Sequence, residues 1–599
     1  MKKLFLASVL ACAAAQAHTV FLEAEQFSNC GGWVVDSLFI DQMGSSFLLA
    51  HGMGRPVADA STMFICPAAG EYAVWARTRN WTAPWSEHAA GTFKIIVGGM
   101  ELKNTLGTGT GEWQWQKAGI VTLTAGKTPI ALHDLTGFDG RCDAICLTTD
   151  AQPTRPPAPA VSRDVKADLV VCGGGVAGTC AAIAAARLGL KVALVQDRPM
   201  LGGANSSEVR VHLGGTINIG PYPRLGDVVA EIGPAKGGNA RPAANYEDRR
   251  KLDAVAAEKN ISLFLNTRIV EVEKDGDAIK HVVGRGVVNG ERIRFTAPLF
   301  ADCTGDACVG FLAGAEFRMG RESKAETGEE MAPEKGDRMT MGASVQWYTK
   351  ETAKPSDFSA EPWMIAFNEK NCEHALRGDW DWETGMTRDQ VTEFERIRDY
   401  GMLVVYSNWS FLKNKSAKRA KYANYEFDWV AYVAGKRESR RLIGDHVLTQ
   451  QDVFDFREYP DASFATTWPI DLHYPMPKNK KNYTGEPFRS ICTSNRHYAY
   501  PVPYRCLYSR NVSNLFMAGR NISVTHVALG TVRVMRTTGM MGEVVGMAAS
   551  VCKANKCSPR GVYEKHLDAL KALMAKGVGL GKPQPPQKYN GGSFKSGKK

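Results

Sequence analysis

The segment 173-GGGVAG-178 constrains the fold of this chain more than any other stretch of it. Before it stands Asp168-Leu169-Val170-Val171-Cys172, an apolar run of buried-strand length. After it come 179-TCAAIAAARLG-189, a helix built mostly of alanine, and a second strand from Lys191 to Val195. Strand, glycine turn, helix and strand make a βαβ unit, which commits this region to a parallel sheet. Gly173, Gly175 and Gly178 form G-x-G-x-x-G within it. The first glycine permits the tight turn, the second lets the backbone approach a pyrophosphate, and the third lets helix and strand pack closely. The unpaired N–H groups of the helix N-terminus then face the anion. The pattern predicts a dinucleotide site. An acid is expected at the end of the second strand to take a ribose hydroxyl, and that position is Gln196, so the hydrogen bond falls to Gln196 or to Asp197.

Several function classes are excluded by charge. The formal net charge is +11, but Lys2 and Lys3 at one end and the basic stretch from Lys553 to Lys599 at the other account for all of it, leaving residues 4–552 neutral. A neutral body with no basic stripe offers no footprint for a phosphate backbone, and nucleic acid is not an expected partner. Lys2-Lys3, the apolar run Leu4 to Ala15, and Ala15-Gln16-Ala17 read as a secretory signal over 1–17. Cys12 offers the alternative of a lipid anchor. No later apolar run reaches the length of a membrane span, so no transmembrane segment is expected. Outside the signal the cysteines form no C-x-x-C pair, which excludes a zinc ribbon, an iron–sulfur ligand run and a redox-relay disulfide.

Along residues 18–150, short β-type runs such as 72-YAVW-75, 93-FKIIV-97 and 120-IVTL-123 alternate with glycine turns, the pattern of a sandwich or jelly roll. The Pro-rich segment 151–163 is linker composition. Residues 164–555 form the next domain, and 556–599 a C-terminal helix, placed at Val562 to Leu573, with a basic tail. Of 13 tryptophans, six precede residue 116 and seven lie between Trp347 and Trp468. That distribution marks an inserted, aromatic-rich α+β cap over about 320–500. The expected fold is therefore multidomain: a β-sandwich followed by an α/β Rossmann-like domain with an inserted cap.

Four stretches carry a resemblance to a known family: 168-DLVVCGGGVAGTCAAIAAARLGLKVALVQDRPMLGGANSSEVRVH-212, 301-ADCTGDA-307, 435-GKRESRRLIGDHVLT-449 and 514-NLFMAGRNISVTHVALGTVRVMRTTGMMGEVVGMAA-549. The chain resembles bacterial exported FAD-dependent oxidoreductases of the glutathione-reductase-like class. The resemblance implies that Gly173, Gly175 and Gly178 hold the FAD pyrophosphate, with Gln196 or Asp197 on the ribose. It also implies that Ile269 offers backbone to the adenine, that Thr304 and Gly305 line the ADP site, and that Gly519 and Arg520 close on the ribityl chain. A helix from about Thr538 points its positive end at the flavin. The front domain, with 21-FLEAEQF-27, 71-EYAVWARTR-79 and 134-DLTGFDGRCDAICLT-148, looks like galactose-binding-like carbohydrate-binding modules. In that resemblance Glu23, Glu25 and Asp143 occupy positions that hold a structural calcium. Trp81, Trp85, Trp113 and Trp115 are offered to a sugar ring, to the core or to a docking face.

Oxidising a CH–OH or CH–NH group needs a proton acceptor near neutral pKa, and His526 is the first candidate, His212 the second. Arg210, Arg533 and Arg536 are candidates to bind a carboxylate or to stabilise developing charge. The run Arg437, Glu438, Arg440, Arg441 reads either the same way or as a self-paired, solvated helix face. Without a second G-x-G-x-x-G a nicotinamide site is unsupported, and the electron acceptor is left open among oxygen, a quinone and a partner protein. The leading expectation is an exported FAD enzyme oxidising a carbohydrate or related small-molecule or glycan substrate. The alternatives are an electron-transfer flavoprotein working with a partner redox protein and a glycan-binding protein with a non-catalytic flavin fold.

Overall fold

The computed structural model describes residues 18–483 and 485–581. The signal read over 1–17, Cys12 within it, and the end of the basic tail lie outside the described residues. The described residues divide into two compact units, one holding 18–35 and 47–158, the other 36–46 and the described residues from 159 to 581. Residues 36–46 thus fold with the second unit although the first surrounds them in sequence, which the composition does not reveal.

In the first unit, strands Thr19–Glu23, Ala144–Thr148, Gly70–Thr78 and Gln114–Leu123 form one antiparallel sheet. Ala60–Cys66, Gly126–Asp134, Phe93–Val97 and Met100–Glu101 form another. Alternate residues point inward from both: Tyr72, Val74 and Ala76 from the first, Phe93, Ile95, Val97, Ile130 and Leu132 from the second. They share one core, as the period of two in a half-buried strand requires. Trp81 belongs to the packed interior, its indole N–H donating to the Phe138 carbonyl at 2.8 Å.

The second unit is built on a five-stranded parallel sheet in the order Ile261–Phe264, Val192–Val195, Leu169–Cys172, Leu299–Asp302, Leu515–Met517. Each of these strands is short, and the middle ones are buried on both faces, which explains their unbroken apolar sequences. A second, mixed sheet is made of Arg163–Lys166, Arg292–Thr296, Ala278–Gly286 and Thr267–Asp275, parallel between the first two and antiparallel beyond. Helix Val176–Arg187 packs against the closing helix Met535–Asn555 through small residues. A Cβ added at Gly542 would lie 2.0 Å from the Ala177 carbonyl oxygen, and one at Gly546 would lie 2.6 Å from that of Ala181. The two helices therefore touch backbone to backbone.

The cap contains the 21-residue helix Phe394–Asn414, buried along most of its length, and several two- and three-stranded sheets. Trp347 meets Trp382 edge-on at 5.1 Å, with Trp409 and Phe427 around it. These tryptophans build the cap's own core rather than lining a pocket. Two expectations are corrected. The C-terminal helix over Val562 to Leu573 is two helices, Pro559–Lys565 and Leu567–Lys576, broken at His566. The closing helix starts at Met535, ahead of Thr538. Among the described residues no helix is long and apolar enough to cross a membrane, and all thirteen cysteines are free thiols.

Candidate active site

The strand order reverses direction between Leu169–Cys172 and Leu299–Asp302, and the loops leaving the C-terminal ends of the sheet gather there. In open parallel sheets this switch point is the ligand crevice. Gly173 adopts φ +101, and a Cβ on it would lie 2.4 Å from the Cys303 carbonyl oxygen. A Cβ on Gly178 would fall 1.8 Å from the Gly173 carbonyl oxygen, so the helix can start only where a glycine stands. Gly175 differs: nothing lies within 4 Å of where its Cβ would be, and the helix it begins has no side-chain cap. An open glycine at an uncapped helix N-terminus fits a pyrophosphate.

Gln196 is buried, and both ends of its amide are used. Its Oε1 accepts the Gly174 N–H at 2.6 Å, and its Nε2 donates to the Met200 carbonyl at 3.2 Å. It braces the glycine turn. Asp197 is half-buried, with one oxygen 3.0 Å from Arg268. Ile269 sits on Thr267–Asp275, the outer strand of the mixed sheet, where one backbone edge faces away from the ladder.

The chain returns to the crevice at Gly519 and Arg520. Gly519 adopts φ +123. A Cβ on Gly305 would lie 2.9 Å from the Arg520 guanidinium carbon, so these two predicted neighbours do meet. Thr304 is turned inward, its hydroxyl donating to Asp302 at 2.7 Å. Asp306 accepts from Arg520 at 2.8 Å, Ser439 at 2.7 Å and Lys436 at 2.5 Å. Burial opposes charge on Asp306, but Lys436 and then Arg520 hold its carboxyl well below the usual range.

Beyond this lies a buried acid–base pair. His526 opens the helix His526–Val532, whose N-cap is the Thr525 hydroxyl, accepting from the Ala528 N–H at 3.1 Å. The imidazole is 2 % exposed. Its Nδ1 lies 2.9 and 3.0 Å from the two oxygens of Glu438, while Nε2 has no hydrogen-bond partner. A carboxylate beside Nδ1 fixes the tautomer with the proton there and leaves the Nε2 lone pair open. Glu438 is itself held by the Met341 N–H at 2.9 Å and by Arg441, which also reaches Glu322 at 2.8 Å.

The next residue back belongs to a second network. Arg437 lies 3.4 Å from Glu383, which also takes His473 Nδ1 at 2.6 Å and the Ser490 hydroxyl at 2.8 Å. His473 Nε2 is 3.1 Å from Arg533, the C-cap of the His526 helix, and Arg533 pairs with Asp471 at 2.9 Å. Trp380 packs edge-on against His473 at 5.1 Å. Burial opposes ionisation of Glu383, yet Arg437 and His473 bring it down to about 2. Two arginines face two carboxylates here, so the network is charge-balanced. The run 436–441 is thus no solvated helix face: Glu438 and Arg441 are fully buried, each turned toward a different partner. His473, Glu383 and Asp471 were not singled out from sequence; the i, i+2 spacing of Asp471 and His473 in an apolar strand was the one signal present.

Other predicted residues stand apart. His212 Nδ1 accepts the Gly238 N–H at 3.3 Å, and burial, then the nearby Arg536 charge, lowers its pKa. Arg210 is a clamp: its guanidinium lies over Trp429 at 4.1 Å and donates to the Tyr348 hydroxyl at 3.1 Å and the Ser207 carbonyl at 2.7 Å. In the first unit Glu23 and Asp143 do converge, with Glu25 close by, but around Arg155. Its guanidinium is 2.9 Å from Glu23 and 3.5 Å from Asp143. At the place the resemblance gives to calcium, a linker arginine supplies positive charge.

A parallel sheet with a glycine cradle at its switch point, closed by a returning strand and helix, defines a dinucleotide-binding protein. Residues 168–574 match the family model described as FAD dependent oxidoreductase, and the chain belongs to that family. It is an FAD-dependent oxidoreductase. No curated protein matches the chain. Among solved structures, a family 35 carbohydrate binding module from Clostridium thermocellum is 20% identical over 22% of this chain and 98% of that one, at TM-score 0.19. OxyS anhydrotetracycline hydroxylase from Streptomyces rimosus is 14% identical over 69% of this chain and 66% of that one, at TM-score 0.31. A geranylgeranyl bacteriochlorophyll reductase-like protein from Thermoplasma acidophilum is 12% identical over 70% of this chain and 88% of that one, at TM-score 0.30. Likenesses this low carry no functional argument.

Proposed function

We propose that this enzyme is exported and oxidises a hydroxyl-bearing substrate, a carbohydrate or related polyol, with His526 as proton acceptor. The observation that carries the reading is the buried imidazole, fixed at Nδ1 by Glu438 and without a partner at Nε2. When bound, FAD supplies the two-electron acceptor that takes the substrate's hydride. The chain's part is to hold the group and remove a proton. Gly173, Gly175, Gly178 and the uncapped helix take the pyrophosphate, Asp197 replaces Gln196 on the ribose, and the free edge at Ile269 takes the adenine. Arg520 and Gly519, fixed through Asp306, close on the ribityl side.

As the substrate C–H bond breaks, its O–H proton passes to His526 Nε2, the carbon–oxygen bond becomes a carbonyl, and Glu438 balances the imidazolium. The Arg437–Glu383–His473–Asp471–Arg533 network, with Trp380 beside it, offers donors, acceptors and an aromatic edge without net charge. Export rests on the signal read over 1–17.

The test is anaerobic flavin bleaching by a panel of mono- and oligosaccharides, in the wild type and in His526→Gln. The variant is expected to retain flavin and to bleach about 10²–10⁴-fold more slowly. Equal rates would remove His526 as the base, and a flavin that no sugar bleaches would remove carbohydrate as the substrate.

A further inference from the structure

Between the strands Trp347–Glu351 and Arg377–Gly378 the cap carries a loop that takes no part in the flavin cradle or the His526 pair. Within six residues of it, Glu369, Cys372 and His374 bring a carboxylate oxygen, a thiol sulfur and an imidazole nitrogen within 4.8 Å of one another. We propose that these three side chains form a binding site for a zinc-class divalent ion, with the remaining position open to water.

Two of the three separations come close to those a bound ion imposes, and the third lies within 4.8 Å. With Zn–N and Zn–O near 2.0 Å and Zn–S near 2.3 Å, two ligands at a tetrahedral angle stand about 3.3 to 3.6 Å apart. His374 Nε2 lies 3.3 Å from Glu369 Oε2 and 3.7 Å from Cys372 Sγ. Two of the three ligands are also aimed from behind. His374 Nδ1 is 3.0 Å from the Tyr422 hydroxyl, and the two rings stack at 10°, so the imidazole turns Nε2 toward the other two. Glu369 Oε1 accepts the Ala417 N–H at 2.6 Å, leaving Oε2 to the cluster. Partners that orient the ligands in this way are the usual supports of a metal site.

Thiolate with imidazole and carboxylate selects a borderline cation over calcium or magnesium, which take oxygen alone. Binding exchanges the thiol proton for the ion without any change of oxidation state. Because Ala417 and Tyr422 lie on the turn and helix after Phe394–Asn414, the ion would tie this loop to that end of the cap.

The flavin-loaded protein, stripped with a chelator and dialysed, is titrated with Co²⁺ as the probe. One equivalent should give a thiolate-to-cobalt charge-transfer band in the near ultraviolet with visible d–d bands, and Zn²⁺ should abolish both. Cys372→Ser and His374→Gln should lose the signal while retaining the flavin spectrum, which reports the fold, and Cys492→Ser, at an exposed cysteine elsewhere in the cap, should keep it. Absence of a cobalt band in the wild type would overturn the site, as would a band that survives Cys372→Ser.

Discussion

Glu543 shows how one buried side chain couples the flavin-binding core to pH. It projects from the closing helix, fully buried, and one of its oxygens lies 3.1 to 3.4 Å from the N–H groups of Gly226, Val228 and Val229. Burial pushes its pKa up to about 8 against those three donors. A carboxyl whose folded pKa is raised is protonated in the native state while already ionised in the unfolded chain. Its contribution to stability is fully present below the unfolded value near 4.5 and is lost as pH rises to about 8. The slope for one proton is at most about 1.4 kcal/mol per pH unit. Glu543→Gln keeps an acceptor for the N–H groups and has no charge to desolvate. Urea unfolding followed by flavin absorbance from pH 5 to 8.5 should show stability falling with pH in the wild type and a flatter profile in the variant. Parallel profiles would mean that Glu543 is already ionised in the fold.

At the scale of elements, the helix pair Val176–Arg187 and Met535–Asn555 sets where the cradle stands. Glycine inside a helix costs about 1 kcal/mol relative to alanine, so Gly542→Ala would stabilise an isolated helix by that amount. In this pair the added Cβ would lie 2.0 Å from the Ala177 carbonyl oxygen, a backbone atom that cannot swing away. The expected result is therefore a loss of about 1–3 kcal/mol in urea unfolding, with weaker FAD retention as the cradle helix is displaced. A gain in stability would show that the helices can part freely. The βαβ unit was legible because every constraint on it is local: Gly173, Gly175 and Gly178 lie within six residues of one another. The pairing of Glu438 with His526 was not, since alternating charges at 437–441 look the same whether they face water or separate buried partners. Periodicity reports which face of an element is apolar and says nothing of what lies opposite. Nothing in the spacing of the cap's tryptophans tells that Trp347, Trp382 and Trp409 pack on each other, for the same reason.

For the whole molecule, the return of residues 36–46 to the second unit makes the front of the chain part of the enzyme's stability. Asp36 meets Arg398 at 2.9 Å with both side chains fully buried, and Phe39 lies under the same guanidinium at 4.9 Å and 6.0 Å from Phe394. Asp399 holds the other side of Arg398 at 2.8 Å. Burial disfavours the Arg398 charge, but Asp399 and then Asp36 raise its pKa, so the guanidinium stays charged and depends on both acids. Removing one partner of a buried pair leaves charge uncompensated, at a cost of about 3–5 kcal/mol where no second partner exists. With Asp399 in place the loss expected for Asp36→Ala is about 2–3 kcal/mol. Asp36→Asn should cost nearly as much, because the charge and not the contact is removed. Guanidinium unfolding monitored by flavin absorbance reads the second unit alone and should show its midpoint lowered in both variants. If Asn restores the wild-type midpoint, the hydrogen bond rather than the charge holds this segment. If neither variant shifts it, residues 36–46 are dispensable, and a chain beginning at the linker should bind FAD as firmly as the full one.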